Sequence, residues 1–178
     1  DDKTYSNGLV FAILYLVIDY GRPQDLVPIG FLMPGVITIL SLTIFLIFSG
    51  KISQTASKQT KLLWLFVLLI TVYIPFATNN YFAYKTAKDM LILMPFILTV
   101  IVCVNSMARL KKTILVFLCL AVYVELYGLY HNGIGSGSYF RDENDLALFT
   151  NMWIPFFFFL FTLEKKTINR ILLFLGLL

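Results

Sequence analysis

Long apolar runs separated by short polar segments set the pattern of this chain. The runs are continuously apolar rather than alternating, which favours helices over the strands of a membrane barrel. A run of about 20 apolar residues can cross a bilayer, and a single helix satisfies its own backbone hydrogen bonds there. We therefore predict an all-α, polytopic transmembrane helix bundle with six spans and the start of a seventh. The predicted spans are 8–20, 29–48, 62–77, 90–104, 113–130 and 146–163, and the seventh begins near Ile171.

The composition also indicates a membrane protein. Of the 178 residues, 59% are hydrophobic and only 13% are charged, whereas soluble domains carry about 25% charged residues. The net charge of +4 does not indicate nucleic-acid binding, because the placement of Lys and Arg matters more than their sum in a membrane protein. Cys103 and Cys119 lie inside apolar runs, which favours buried thiols over a disulfide or a metal site. We expect neither a metal nor a cofactor.

The placement of the basic residues predicts an orientation. Ten of the 14 Lys and Arg residues lie at the N-terminus and in alternate loops, and the positive-inside rule makes these cytoplasmic. The segments 19–28, 78–89 and 131–145 then face outward. Only Lys3 supports the short first span, and without that span the N-terminus would lie outside. The ten residues are Lys3, Lys51, Lys58, Lys61, Arg109, Lys111, Lys112, Lys165, Lys166 and Arg170.

The extent of the chain suggests a single transmembrane domain over residues 1–178. The sequence lacks an initiator Met and stops inside an apolar run at Leu178. We expect it to be the N-terminal portion of a longer membrane protein.

The first outward segment, 19–28, reads Asp-Tyr-Gly-Arg-Pro-Gln-Asp-Leu-Val-Pro. Its Gly and Pro residues favour a compact turn. Arg22 offers a planar, permanently charged fork suited to phosphate or carboxylate, and Asp19 and Asp25 are close enough in sequence to hold it. The alternative is a rigid interfacial turn with an Arg–Asp pair and no ligand.

The second outward segment, 139–148, reads Tyr-Phe-Arg-Asp-Glu-Asn-Asp-Leu-Ala-Leu and leads into the sixth span. Asp142, Asn144 or Asp145 can cap the helix that follows. A helix N-terminus beside Arg141 can also bind an anion, and the amide of Asn144 suits sugar hydroxyls. A purely structural role as a helix cap is the alternative.

Two further polar residues belong to the fifth span. Glu125 is an ionisable residue within a span, which makes it a functional candidate, and we expect it to pair with Arg22 or Arg141. His131 ends the span on the outer side. A general base is possible there, although an interfacial, hydrogen-bonded His is favoured.

These two segments, the first after the short first span and the second before the sixth span, resemble the O-antigen ligase/polymerase superfamily. The Gly-Arg-Pro-Gln-Asp-Leu stretch at 21–26 is most similar to the O-glycosylation ligases associated with exosortase systems. The resemblance implies a bacterial inner-membrane glycosyltransferase that needs no metal and moves a glycan from an undecaprenyl-diphosphate carrier on the periplasmic face. It also implies that Arg141 and, in the exosortase-associated branch alone, Arg22 hold the diphosphate, and Asn144 matches the Asn at the start of the span. The residues themselves lead us to expect Asp19, Asp25, Glu125 and Asp145 in support.

The chain departs from the family at the catalytic base. The proposed base of the family is a His in a large outer loop nearer the C-terminus, so it would lie beyond Leu178, and His131 does not inherit the role. Two other functions stay open. One is a non-catalytic structural subunit of a larger membrane complex, with membrane-protein partners. The other is a transporter or flippase-like carrier, against which the lack of matched halves counts.

Overall fold

The computed structural model describes residues 2–22, 33–135, 140 and 142–175, and this part of the chain is helical without any strand. The predicted all-α class is confirmed. Two short 3₁₀ helices, Ile52–Thr55 and Ile74–Phe76, lie between longer elements. Within the described residues the α-helices are α1 (Asp2–Tyr20), α2 (Pro34–Phe48), α3 (Lys58–Tyr73), α4 (Asn80–Cys103), α5 (Met107–Tyr130), α6 (Glu143–Leu163) and α7 (Thr167–Leu175).

Four helical segments are long and apolar enough to cross a membrane, which indicates a membrane protein. They are Lys58–Phe76, Asn80–Cys103, Met107–Tyr130 and Glu143–Leu163. The prediction of six spans is not confirmed. The second predicted span corresponds to α2, which is apolar but has only 15 residues. The first lies in α1, whose opening turns are polar and include Asn7.

Helix boundaries differ from the predicted spans at their polar ends. The segment 78–89, predicted as an outer loop, is largely the first half of α4, which begins at Asn80. The Asn79 side chain caps this helix by accepting a hydrogen bond from the Phe82 N–H at 3.1 Å. The prediction was wrong here because an apolar run marks only the part of a helix suited to hydrocarbon. The helix itself continues through Tyr, Lys and Ala residues.

Hydroxyl side chains inside the apolar helices bond to the backbone of their own helix. Thr38 donates to the Pro34 carbonyl at 3.0 Å, and Thr99 donates to the Pro95 carbonyl at 2.7 Å. The same pattern recurs at Thr71, which donates to the Val67 carbonyl at 2.7 Å. An unsatisfied hydroxyl in an apolar medium costs several kcal/mol. These local bonds therefore allow Thr to occupy helices that otherwise read as lipid-compatible.

The contacts divide the chain into two compact units. Unit 1 comprises Asp1–Tyr15 and Met33–Met107, and unit 2 comprises Leu16–Leu32 and Ala108–Leu178. In unit 1, α4 packs against both α2 and α3. The core of unit 1 is built from Leu9, Leu46, Val102 and Cys103, with Tyr5, Ile13, Phe45, Leu98 and Val104 packed against it.

Unit 2 contains the last turn of α1 together with α5, α6 and α7. Its core is formed by Ala121, Val124, Phe140 and Phe149, with Tyr20, Tyr123, Leu146 and Trp153 packed against it. Of the four membrane-length segments, α5 is the most enclosed, since 33% of its apolar window is buried, against 11% for the segment containing α3. α5 is therefore the central helix of unit 2.

Candidate functional site

The end of α1 and the start of α6 lie side by side in unit 2. The Tyr20 ring stacks on the Phe149 ring, with centroids 5.6 Å apart and planes inclined by 24°. Phe140, just before α6, also contacts the Phe149 ring, and the two ring centroids are 5.0 Å apart. Tyr20 is two residues before Arg22, and Phe149 is five residues after Asn144. Tyr20 and Phe140, one residue from each of the two segments that the sequence singled out, thus belong to one aromatic cluster.

This aromatic cluster was missed by the sequence analysis. Phe117 of α5 stacks on Trp153 of α6 at 4.9 Å, and Trp153 also meets Phe149 edge-on at 5.7 Å. Phe149 and Trp153 are spaced by four residues, so they lie on one face of α6. That spacing was the available signal. It was masked because Phe is abundant throughout the chain and the spacing alone does not identify the partner helix.

Arg22 has an unusual backbone conformation. Its φ of 45° lies in the left-handed region, immediately after the Gly21 N–H bonds back to the Val17 carbonyl at 2.9 Å and closes α1. This position at a helix end is usually given to Gly, because a side chain there costs roughly 1 kcal/mol. Arg22 is half-buried. An Arg at a position where the backbone favours Gly points to a role for its side chain.

The other partners predicted for Arg22 are only partly described. Asp19 lies within the last turn of α1. Asp25 and Arg141 lie outside the described residues, so the predicted Arg–Asp pair and the convergence of the two Arg side chains stay predictions.

The start of α6 shows which of the candidate residues caps the helix. Asp142 is the N-cap, and its carboxylate accepts hydrogen bonds from the backbone N–H groups of Asn144 and Asp145, both at 2.9 Å. Asn144 and Asp145 lie in the first turn, where Asn144 is exposed and Asp145 is half-buried. Asp142, rather than Asn144 or Asp145, therefore has the capping role.

This cap changes the prediction of an anion site at the helix N-terminus. Two of the backbone N–H groups that would bind an anion already bond to Asp142. Asp142, Glu143 and Asp145 also supply negative charge at the positive end of the helix. The end of this helix is therefore less suited to an anionic ligand than the sequence predicted, and the Asn144 side chain is exposed there.

The outer end of α5 closes against the start of α6. The Gly133 N–H bonds to the Gly128 carbonyl at 2.8 Å, with Gly133 at a φ of 87°, as in a Schellman motif. A Cβ added at Gly133 would lie 2.6 Å from Glu143 Cγ. The absence of a side chain at Gly133 thus allows the two helix ends to approach.

Glu125 and His131 have different surroundings on α5. Glu125 is half-buried and shares a helical stripe with Ala121 and Gly128, which pack toward α6. Its pairing with Arg22 or Arg141 stays a prediction. His131 is exposed, and its ring stacks on the Tyr127 ring with centroids 3.9 Å apart. Its Nδ1 donates to the Tyr127 carbonyl at 2.9 Å, so His131 is hydrogen-bonded, while its interfacial position stays a prediction.

Gly128 supplies a test of how the α5–α6 contact positions this region. A Cβ at Gly128 would lie 2.4 Å from Leu146 Cδ2, so Gly128→Leu is expected to force the two helices apart. Overpacking of this kind costs about 1–3 kcal/mol. Thermal unfolding of the purified variants measures the loss.

The same experiment carries its own control. The double variant Gly128→Leu/Leu146→Ala returns space to the contact and should recover most of the stability, giving a coupling of about 0.5–3 kcal/mol. Additive losses in the double variant would show that the two side chains do not compete for one space.

Metal ligands do not cluster in this region. Over the described ranges, no group of three or more His, Cys, Asp or Glu side chains is placed to hold a metal ion.

The described residues thus form an all-helical membrane protein in which the end of α1 and the start of α6 share an aromatic cluster. Comparison with models of protein families, with curated proteins and with solved structures gives no match to this chain.

Proposed function

We propose that this protein is a glycan ligase or polymerase of the bacterial inner membrane, or the N-terminal part of one. It would transfer a glycan from an undecaprenyl-diphosphate carrier on the periplasmic face, with the N-terminus in the cytoplasm. In this reaction the bond between the anomeric carbon and the phosphate oxygen breaks, and the diphosphate leaves with the electron pair. The acceptor hydroxyl forms the new bond and gives its proton to a base.

The observation that carries this proposal is the stacking of Tyr20 on Phe149. Tyr20 is two residues before Arg22 and Phe149 is five residues after Asn144, so this contact supports a proposal in which the two segments behind the resemblance to the ligases act together. Arg22 adds support because it occupies a left-handed position at a helix end, an energetically costly conformation of the kind that is often found at functional sites.

Electrostatics explains what the residues would do. Two guanidinium groups, Arg22 and Arg141, would neutralise the diphosphate through forked hydrogen bonds and stabilise the charge that grows as the carrier leaves. Asn144, exposed in the first turn of α6, would bond sugar hydroxyls. The lipid tail of the carrier would stay in the bilayer alongside the apolar helices.

Binding of the carrier tests the proposal separately from catalysis. The purified protein in detergent should bind undecaprenyl diphosphate more tightly than undecaprenyl monophosphate, and Arg22→Ala should weaken diphosphate binding by about tenfold. A charge-assisted hydrogen bond of about 1.5 kcal/mol corresponds to that factor. Titration followed by intrinsic Trp fluorescence measures both affinities.

A matched control is Arg170→Ala. The Arg170 guanidinium lies 4.8 Å over the Phe161 ring in the last helix described, and its loss should leave binding unchanged. Equal affinity for the monophosphate and diphosphate, or a wild-type affinity in Arg22→Ala, would contradict the proposal and favour a structural subunit.

A further inference from the structure

A groove of about 440 Å³ opens in unit 2 where α5, α6 and α7 meet. This volume is within the range of about 300–1,000 Å³ that is usual for ligand sites. Its walls are apolar, and they come mainly from one stripe of α5. The wall residues are Leu115, Leu118, Cys119, Val122, Phe157 and Leu173.

A second groove of about 570 Å³ adjoins the first in the same unit. Leu115 and Cys119 line both grooves, so together they form a ridge between two apolar channels. Lys111 and Lys112 line the second groove and are exposed. They precede the ridge on α5 by about one turn, so they lie at the polar end of the channels.

The mouth of the first groove is formed by Glu164 and Asn169. Glu164 Oε1 accepts backbone hydrogen bonds from Lys165 at 3.0 Å and Lys166 at 3.1 Å. The Lys166 N–H, the Asn169 side chain and then the Lys165 N–H and the nearby Lys111 charge lower the pKa of Glu164. The carboxylate is thus ionised at neutral pH, and a carboxylate has more acceptor sites than these bonds use.

We propose that the two grooves bind one phospholipid with a primary-amine headgroup. Its two acyl chains lie on either side of the Leu115–Cys119 ridge, its ammonium donates to Glu164, and its phosphate contacts Lys111 or Lys112. Charge complementarity selects this ligand, because one acid and two bases flank the same end of two apolar channels and so match a zwitterion. A buried helix of a partner would instead place uncharged surface against these residues.

The test uses the purified protein in nanodiscs that contain equal parts phosphatidylethanolamine, phosphatidylcholine and phosphatidylglycerol. Native mass spectrometry after detergent release measures which lipid stays bound. Wild type should retain phosphatidylethanolamine about three- to fivefold over each of the other two, the preference that one partly exposed ion pair supplies. Glu164→Gln keeps an oxygen acceptor for the two backbone N–H groups and should lose that preference.

A second variant tests the binding of the acyl chains separately from the recognition of the headgroup. Cys119 is exposed at the ridge, so Cys119→Trp should fill both channels and abolish lipid retention without disturbing the core. Leu126→Trp is the matched control, because Leu126 is 61% exposed on the same helix, and it should retain lipid as wild type does. Asp89→Asn, at an exposed acid of α4, should keep the headgroup preference.

Three results would overturn the inference. Equal retention of the three lipids by wild type would remove the headgroup site. An unchanged preference in Glu164→Gln would remove the role of the carboxylate. Retention by Cys119→Trp at the wild-type level would place the lipid elsewhere.

Discussion

The Arg141→Ala variant is expected to lose glycan transfer by about 10²–10³-fold while it inserts and folds as wild type does. The proposed function assigns Arg141 to the diphosphate, where negative charge grows as the bond to the glycan breaks. Removing one well-placed donor to such a charge costs about this factor. The cap at the start of α6 makes transfer depend more strongly on Arg141. Asp142 already accepts hydrogen bonds from the backbone N–H groups of Asn144 and Asp145, so these groups cannot replace the guanidinium.

The measurement is glycan output from cells that carry the variant, together with the amount and the thermal unfolding of the inserted protein. Arg141→Lys should recover part of the activity, because Lys keeps the charge but not the forked geometry. Arg170→Ala is the control, since Arg170 lies in the last described helix, where its guanidinium packs over the Phe161 ring. Normal output from a stably inserted Arg141→Ala would remove Arg141 from the mechanism.

The Gly8→Val variant is expected to have the largest effect on stability. A Cβ at Gly8 would lie 2.3 Å from Phe45 Cζ and 2.4 Å from Cys103 Sγ, so it would meet side chains of α2 and α4 at once. Cys103 is fully buried and belongs to the core of unit 1. It cannot turn away as an exposed side chain would. Overpacking at such a contact costs about 1–3 kcal/mol, and two obstructed neighbours place Gly8→Val toward the upper end.

Gly35→Val is the matched control for this prediction. Gly35 lies in the first turn of α2, and a Cβ there would meet no atom within 4 Å. Replacing Gly by Val in a helix without a clash is neutral or slightly favourable. Thermal unfolding in the same detergent compares the two variants. A Gly8→Val protein as stable as Gly35→Val would show that α1 does not pack tightly on α2 and α4 at this position.

Local signals predicted the elements of this protein with fair success. The apolar runs gave α3, α4, α5 and α6, because hydrocarbon compatibility is a property of each run by itself. The span count fared less well, since α1 opens with polar turns and α2 is short. The predicted start of α4 was wrong for a related reason. Its first turns are polar, and Asn79, not hydropathy, fixes where it begins.

The candidate site was predictable only as separate segments. Arg22, Asn144, Glu125 and Asp145 were selected because polar groups in an apolar chain need an explanation. Three residues were equally able to cap α6, and the backbone path alone decided for Asp142. The cluster of Tyr20, Phe149 and Trp153 was not anticipated, because a Phe-rich sequence does not show which aromatic residues contact one another.

The sequence by itself determined that this is an all-helical membrane protein and that its polar residues are concentrated between apolar runs. Those properties depend on composition and on neighbours a few positions away. Only the tertiary structure decided that the end of α1 meets the start of α6, that Gly8 and Gly128 are points of close approach, and that two grooves flank Leu115 and Cys119. Each of these depends on side-chain volumes from distant parts of the chain, and dense packing makes such contacts specific.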